Sequence, residues 1–185
     1  MRKNQVILFY GAPASGKYTM AKRLAQEDGF LLDNHYFHDM FKDLIEVPEE
    51  RKGEYFGGVG DMKKSFLKLI ETFYPKEKFV RYIFTSFITE KEELLKYKSF
   101  AENILADFIP IELKADMEVL CERCQSEYRK WRKKISNPEK LTRVIDQYSG
   151  EPLDFEHQNK LCLNSSDLSE NETFEKIKNH LEKFE

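Results

Sequence analysis

This sequence is short of the features that would place it outside the ordinary soluble globular class. It has no run of about eighteen apolar residues, so no membrane-spanning helix is expected. The start, Met1-Arg-Lys-Asn, has no apolar core between it and the first strand, which argues against a signal peptide. Neither charge is in large excess: 30 Lys and Arg stand against 33 Asp and Glu, for a net charge of −3. That balance argues against a protein that coats nucleic acid. Cysteine is scarce, with only Cys121, Cys124 and Cys162. Cys121-x-x-Cys124 has the spacing of a metal or redox pair. It lacks a second pair or a nearby histidine and lies inside a helical pattern, so these are expected to be reduced thiols of a cytoplasmic protein. No internal repeat, low-complexity tract or shift in composition divides the chain. Its 185 residues are read as one domain, long enough for a full core.

The most informative stretch is Val6-Ile-Leu-Phe-Tyr10 followed by Gly11-Ala-Pro-Ala-Ser-Gly-Lys-Tyr-Thr19. Five apolar residues in succession read as a buried strand. Gly11, Gly16 and Lys17 then fall at the spacing of a phosphate-binding loop, and the residues after Lys17 continue as an amphipathic helix. Glycines let the backbone turn several N–H groups into one cavity. The helix start adds its positive dipole end, and the lysine adds a full charge for the β- and γ-phosphates. Gly11, Ala12, Pro13, Ala14, Ser15, Gly16, Lys17, Tyr18 and Thr19 are therefore the candidate nucleotide contacts. One position departs from the pattern. Ser or Thr normally follows the lysine and supplies a hydroxyl to Mg²⁺, whereas this chain has Tyr18, with Thr19 one residue later.

Taken in order, the first helix is predicted over Lys17 to Gln26, with Met20, Ala21, Leu24 and Ala25 as a core stripe. Phe30 to Leu32 reads as the second strand, with Asp33 at its C-terminal end, where open α/β sheets bind ligands. Asp33 is either the cap of the next helix or a carboxylate facing a substrate hydroxyl. That helix is expected to carry Met40, Phe41, Leu44 and Ile45. His35 and His38 share its face, without a carboxylate to complete a metal pair. Pro48 to Gly60 reads as a polar, glycine-rich loop, and a helix from Asp61 buries Phe66, Leu67, Ile70 and Phe73.

Phe79 to Phe87 suits a central strand. It ends in Thr85-Ser86 with no acidic residue, which weakens a motor-ATPase reading. A helix follows over Glu90 to Ala106, then a strand over Phe108 to Leu113, with Pro110 suggesting a sheet edge. Asp116 is expected to cap a helix that runs on into Arg129-Lys-Trp-Arg-Lys-Lys134, five cations around one tryptophan. Asn137-Pro138 starts another helix, Lys160 to Leu163 forms the fifth strand, and Ser169 with Glu172 makes a capping box on the last helix. Strand and helix alternate, which predicts an α/β fold: a doubly wound parallel sheet with helices on both faces.

With these motifs in place, the chain resembles the small P-loop kinases, the group of shikimate, gluconate, chloramphenicol and nucleoside monophosphate kinases. The resemblance covers most of the chain in element order. It is most specific at Gly11-x-Pro-x-Ser-Gly-Lys-x-Thr19, less so at Arg123 to Asn137, similar to the family's arginine-bearing lid, and at Leu163 to Leu168, similar to its last strand and adenine-flanking loop. It implies a three-layer P-loop NTPase fold with strand order 2-3-1-4-5 and a small helical lid over about residues 123–137. It also implies ATP and Mg²⁺ as cofactors, and a small-molecule acceptor that it does not name. No metal-ligating set is legible.

The expected activity is transfer of the γ-phosphate of ATP to a hydroxyl or phosphate acceptor. Lys17 holds the phosphates, Asp33 orients or deprotonates the acceptor, and Arg129 and Arg132 close over the moving group. Arg123 is placed beside the adenine. The lid cations have two other readings: a solvated helix face, or a nucleic-acid patch in which Trp131 stacks on a base. The competing functions are a nucleotide-binding regulatory protein without transfer activity and a polynucleotide kinase.

Overall fold

A computed structural model of the chain describes residues 2–33, 35–41, 44–132, 134–148, 153 and 155–185. Asn34, read as part of the helix start after the second strand, and Lys133, one of the five lid cations, lie outside the described residues.

The apolar run becomes β1 (Gln5–Tyr10), buried along its whole length. Its side chains alternate between two cores, as the two-residue period of a strand requires. Val6, Leu8 and Tyr10 join one core and Ile7 and Phe9 the other. Burying each large apolar side chain of this kind stabilises the fold by roughly 1.5–3 kcal/mol. The sheet is completed by β2 (Phe30–Asp33), β3 (Arg81–Ser86), β4 (Asp107–Lys114) and β5 (Leu161–Asn164). All four pairings are parallel, and the order is β2-β3-β1-β4-β5. The chain is therefore the expected three-layer α/β sheet in the expected strand order.

Helices α1 (Lys17–Asp28), α2 (His35–Asp39), α3 (Lys52–Phe73), α4 (Lys91–Asn103), α5 (Met117–Cys124), α6 (Glu127–Trp131), α7 (Pro138–Tyr148) and α8 (Glu170–Leu181) complete the fold. Met20, Ala21 and Leu24 of α1 and Phe174, Ile177 and Leu181 of α8 cover one face of the sheet. Leu94, Tyr97 and Phe100 of α4 cover the other, with Leu67 and Ile70 of α3 packed against them. A third cluster sets Leu120 and Cys124 of α5 and Leu141 of α7 against Ala14, which ties the base of the lid to the loop after β1. The capping box of α8 is present, with Glu172 N donating to Ser169 Oγ over 3.2 Å and Ser169 N to Glu172 Oε2 over 2.9 Å. The three cysteines are free. No helix among the described residues is long and apolar enough to cross a membrane.

Several element boundaries differ from the sequence reading. The glycine-rich stretch is not a loop: a short 3₁₀ turn over Glu49–Arg51 leads straight into α3, which contains Gly53, Gly57, Gly58 and Gly60. Each helical glycine costs up to about 1 kcal/mol against alanine. Val59 is nevertheless buried, and the same helix packs Leu67 and Ile70 on the core. Phe73, expected in the core, is 77% exposed at its end. The helix after Asp33 is a single short element, α2, and Leu44 and Ile45 are exposed beyond it. Pro110 is interior, since β4 lies between β1 and β5. The proline is tolerated because β5 pairs only from Ile111 onward. Asn159 Nδ2 takes the Phe108 carbonyl there instead, over 3.0 Å. Asp116 stands at the start of α5 without a side-chain cap bond, and α5 ends at Cys124 rather than running through the cation-rich segment.

Candidate active site

The loop between β1 and α1 is a nest for an anion. Gly11 has φ +138°, and a Cβ there would meet the Leu113 carbonyl oxygen at 2.1 Å, so no other residue fits so close to β4. Ala14 (φ 70°) and Gly16 (φ 90°) are left-handed. Left-handed positions alternating with right-handed ones turn successive N–H groups into one concavity. Gly16 caps α1 without a side-chain hydrogen bond, and no acidic residue sits in its first turn. The orphan N–H groups of that turn are thus left for a ligand. Ser15 Oγ is buried with no hydrogen-bond partner.

Lys17 folds back over the loop, its Nζ donating to the Ala12 carbonyl over 3.0 Å. Burial, reinforced by the nearby Arg129 and Lys134 charges, lowers its pKa to about 7, against a partial upward pull from Asp33. A cation held so far below its ordinary range lacks the counter-charge that a phosphate would bring.

The loop opens on a cleft of ≈ 690 Å³. Pro13 to Met20 line one wall. Asp33, His35, His38, Thr85, Ser86 and Phe87 line the end beyond β2 and β3, and Arg123, Tyr128, Arg129, Lys134 and Ser165 come from the segment after α5's start and the loop after β5. The carboxylate of Asp33 is 1% exposed. Its Oδ1 accepts from Thr85 Oγ1 over 2.6 Å, while Oδ2 is buried without a hydrogen-bond partner. The carboxylate at this end of the sheet is thus carried by β2 and held by Thr85, the penultimate residue of β3. Burial lowers the His35 pKa to about 4 and also depresses that of His38, so both imidazoles are neutral at neutral pH. His38 Nδ1 lies 3.0 Å from the Tyr55 hydroxyl.

The predicted lid residues separate. Arg123 is pinned to the loop after β5, donating to Ser165 Oγ over 3.0 Å and to the Ser165 carbonyl over 2.8 Å. Arg129 lines the cleft, with its Nε donating to the Ile135 carbonyl over 2.9 Å, and burial depresses its pKa. Arg132 stands apart, pairing with Asp39 at 2.8 Å and reaching within 4.0 Å of Asp33. Tyr18 turns away from the role of a metal-binding hydroxyl. Its ring stacks on Tyr128 with centroids 6.1 Å apart, and the Lys134 ammonium lies 4.3 Å from its centroid. The sequence reading named neither Lys134 nor Tyr128 for the site. The one available signal was the aromatic residue at position 18, which needs an aromatic or cationic partner that only the fold identifies.

No protein-family model matches this sequence, and neither does any curated protein. Solved structures do match over nearly the whole chain. A gluconokinase from Sinorhizobium meliloti 1021 is 13% identical, with a TM-score of 0.57 and coverage of 99% of this chain and 94% of that one. A shikimate kinase from Acinetobacter baumannii, solved with shikimate, is 17% identical at a TM-score of 0.56, covering 97% and 94%. The APS kinase CysC of Mycobacterium tuberculosis, solved with AMPPNP and APS, is 14% identical at 0.56, covering 98% and 99%. The chain thus has the small P-loop kinase fold.

Proposed function

We propose that this protein is an ATP-dependent small-molecule kinase, built as one domain with a lid over about residues 123–137. The observation that carries this reading is the meeting of two opposite charges across one cleft. The Lys17 ammonium lies in the loop nest, and Oδ2 of the buried Asp33, without a hydrogen bond and 4.0 Å from Arg132, lies at the acceptor end. The APS kinase of the same fold was solved with AMPPNP and APS, which supports a fold able to take a nucleotide and an acceptor together.

In this reading Gly11 to Thr19 hold the phosphates of ATP through backbone N–H groups, and Lys17 contacts the β- and γ-phosphates. Arg123, fixed on Ser165, borders the adenine. The acceptor hydroxyl attacks the γ-phosphorus, its proton passes to Asp33 Oδ2, and the bond from that phosphorus to the β–γ bridging oxygen breaks to release ADP. Thr85 holds the carboxylate in place for this step. Arg129 neutralises charge on the moving phosphoryl group. Arg132, paired with Asp39 and 4.0 Å from Asp33 Oδ2, bears on the charge of that same oxygen.

Among the described residues, no group of three or more His, Cys, Asp or Glu side chains gathers into a metal cage. Mg²⁺ needs less, since it keeps several waters and is held by one or two carboxylates plus substrate phosphates. Asp33 would hold such an ion through one of its waters, which leaves Oδ2 free to take the proton, with Thr19 near the phosphates. Bound there, the ion would neutralise phosphate charge. Incubation with pooled metabolites and γ-labelled ATP tests the proposal: label should move to an acceptor in the unaltered chain and not in Lys17→Ala. An unaltered chain that binds ATP but transfers label to nothing would instead favour a nucleotide-binding regulatory protein. Tyr18, whose ring is committed to Tyr128, is the observation that favours that second reading.

A further inference from the structure

Lys134 is a cation with an unusual setting. It lines the phosphate cleft, yet no carboxylate among the described residues lies within ion-pairing distance of its ammonium. Among the described residues its ring contacts are Tyr18, at 4.3 Å from the centroid, and Tyr128, at 6.0 Å. The two phenol rings are stacked at an interplanar angle of 24°. Lys17, Tyr18, Tyr128 and Lys134 all line the same cleft, so this stack holds the Lys134 ammonium within the cleft that Lys17 enters. The electrostatic effect of Lys134 on Lys17 shows the same proximity. Backbone bonding supports the placement, with Lys134 N donating to the Arg129 carbonyl over 2.9 Å.

We infer that Lys134 is a second phosphate-contacting lysine of the nucleotide site, and that Tyr18 is the positioning residue that holds it over the loop. The inference rests on the phosphate-site reading above. A ring face attracts an ammonium without neutralising it. Lys134 is thereby kept in place while its charge and its three donors stay available to a polyphosphate. Position 18, where the ordinary motif spends a hydroxyl on the metal, here spends an aromatic ring on a lid cation. The charge near the phosphates is then supplied partly by the protein.

Calorimetric titration of the full chain with ATP and, separately, with adenosine, both in EDTA, tests this. Lys134→Ala should weaken ATP binding roughly ten- to hundred-fold, the range expected for a lost charged hydrogen bond, and leave adenosine binding unchanged. Tyr18→Ala should weaken ATP binding too, and adding it to Lys134→Ala should cause little further loss, because the ring acts through the lysine. Tyr18→Phe, which keeps the ring, should bind ATP nearly as the unaltered chain does. If Tyr18→Ala fails to fold, Tyr18→Leu takes its place. Full ATP affinity in Lys134→Ala overturns the inference, as do losses from the two sites that simply multiply. Lys17→Ala separates the failures. A loss with Lys17→Ala but none with Lys134→Ala removes only this inference. No loss with either, or ATP bound no better than adenosine by the unaltered chain, removes the phosphate-site reading as well.

Discussion

The two walls of the cleft are built on different principles. The wall formed by the loop after β1 is local: Gly11 to Thr19 are contiguous, and their geometry is set by three left-handed or glycine-only backbone positions between one strand and one helix. The opposite wall is assembled from afar. Asp33 ends β2, Thr85 is next to last in β3, Arg129 lies in α6, and Lys134 lies beyond it. Backbone conformation dictates the first wall, so a short motif suffices. Side-chain partners meeting across the sheet dictate the second, and no spacing in the sequence encodes those meetings. The cations show the contrast. Lys17 is where its motif puts it, whereas Arg129, Arg132 and Lys134, within six residues of one another, end respectively on a lid carbonyl, on Asp39 and on a tyrosine ring.

The comparison can be broken most decisively at Asp33. Asp33→Asn keeps the size and the bond from Thr85 but removes the basic oxygen, so transfer should fall by roughly 10²–10⁴-fold while ATP affinity holds. Single-turnover transfer from labelled ATP measures this. Undiminished transfer would leave Asp33 with a structural role alone.

The next effect belongs to the local wall. Lys17→Ala should weaken ATP binding by roughly ten-fold or more, a charged hydrogen bond contributing about 1.5–3 kcal/mol. Equal affinities in calorimetry would remove the nest as a phosphate site.

A smaller effect should appear with pH. The pKa of Lys17 stands at about 7 in the free chain, and a bound polyphosphate raises it, so binding favours the charged form. ATP affinity should be level below that value and should fall as the pH rises above it, by at most about ten-fold per unit, with proton uptake on binding. Titration from about pH 6 to pH 9 in buffers of different ionisation enthalpy reads both, and Lys17→Ala should flatten the profile. The stability of the empty chain runs the other way. A lysine whose folded pKa is depressed penalises the fold in full below about 7, and the penalty fades as the pH rises toward the ordinary lysine range.

The smallest effect sharpens the comparison at the border of the cleft. Ser169 caps α8 and is not itself among the lining residues, although Leu168 and Glu170 on either side of it are. Ser169→Ala should cost about 1 kcal/mol and lower Tm by roughly 2–4 °C, with ATP affinity unchanged. Any loss of ATP affinity would mean that α8 is coupled to the nest.

What could be read in the sequence was what short-range chemistry controls. The buried β1, the glycine-dependent turn after it, the Asn137 and Ser169 caps and the alternation that yields a parallel sheet all follow from backbone constraints or from periodicity. Two local signals misled. The glycines before Asp61 pointed to a loop, but burial of Val59 and the packing of Leu67 and Ile70 hold that stretch in α3. Pro110 pointed to an edge, but its missing N–H falls where β5 has not yet begun to pair. Tertiary structure alone decided which of Asp33's oxygens is bonded, which of the clustered cations lines the cleft, and which rings Tyr18 and Lys134 meet. These are contacts between residues far apart in the chain, fixed by the order in which the strands pair, and composition and spacing carry no record of that order.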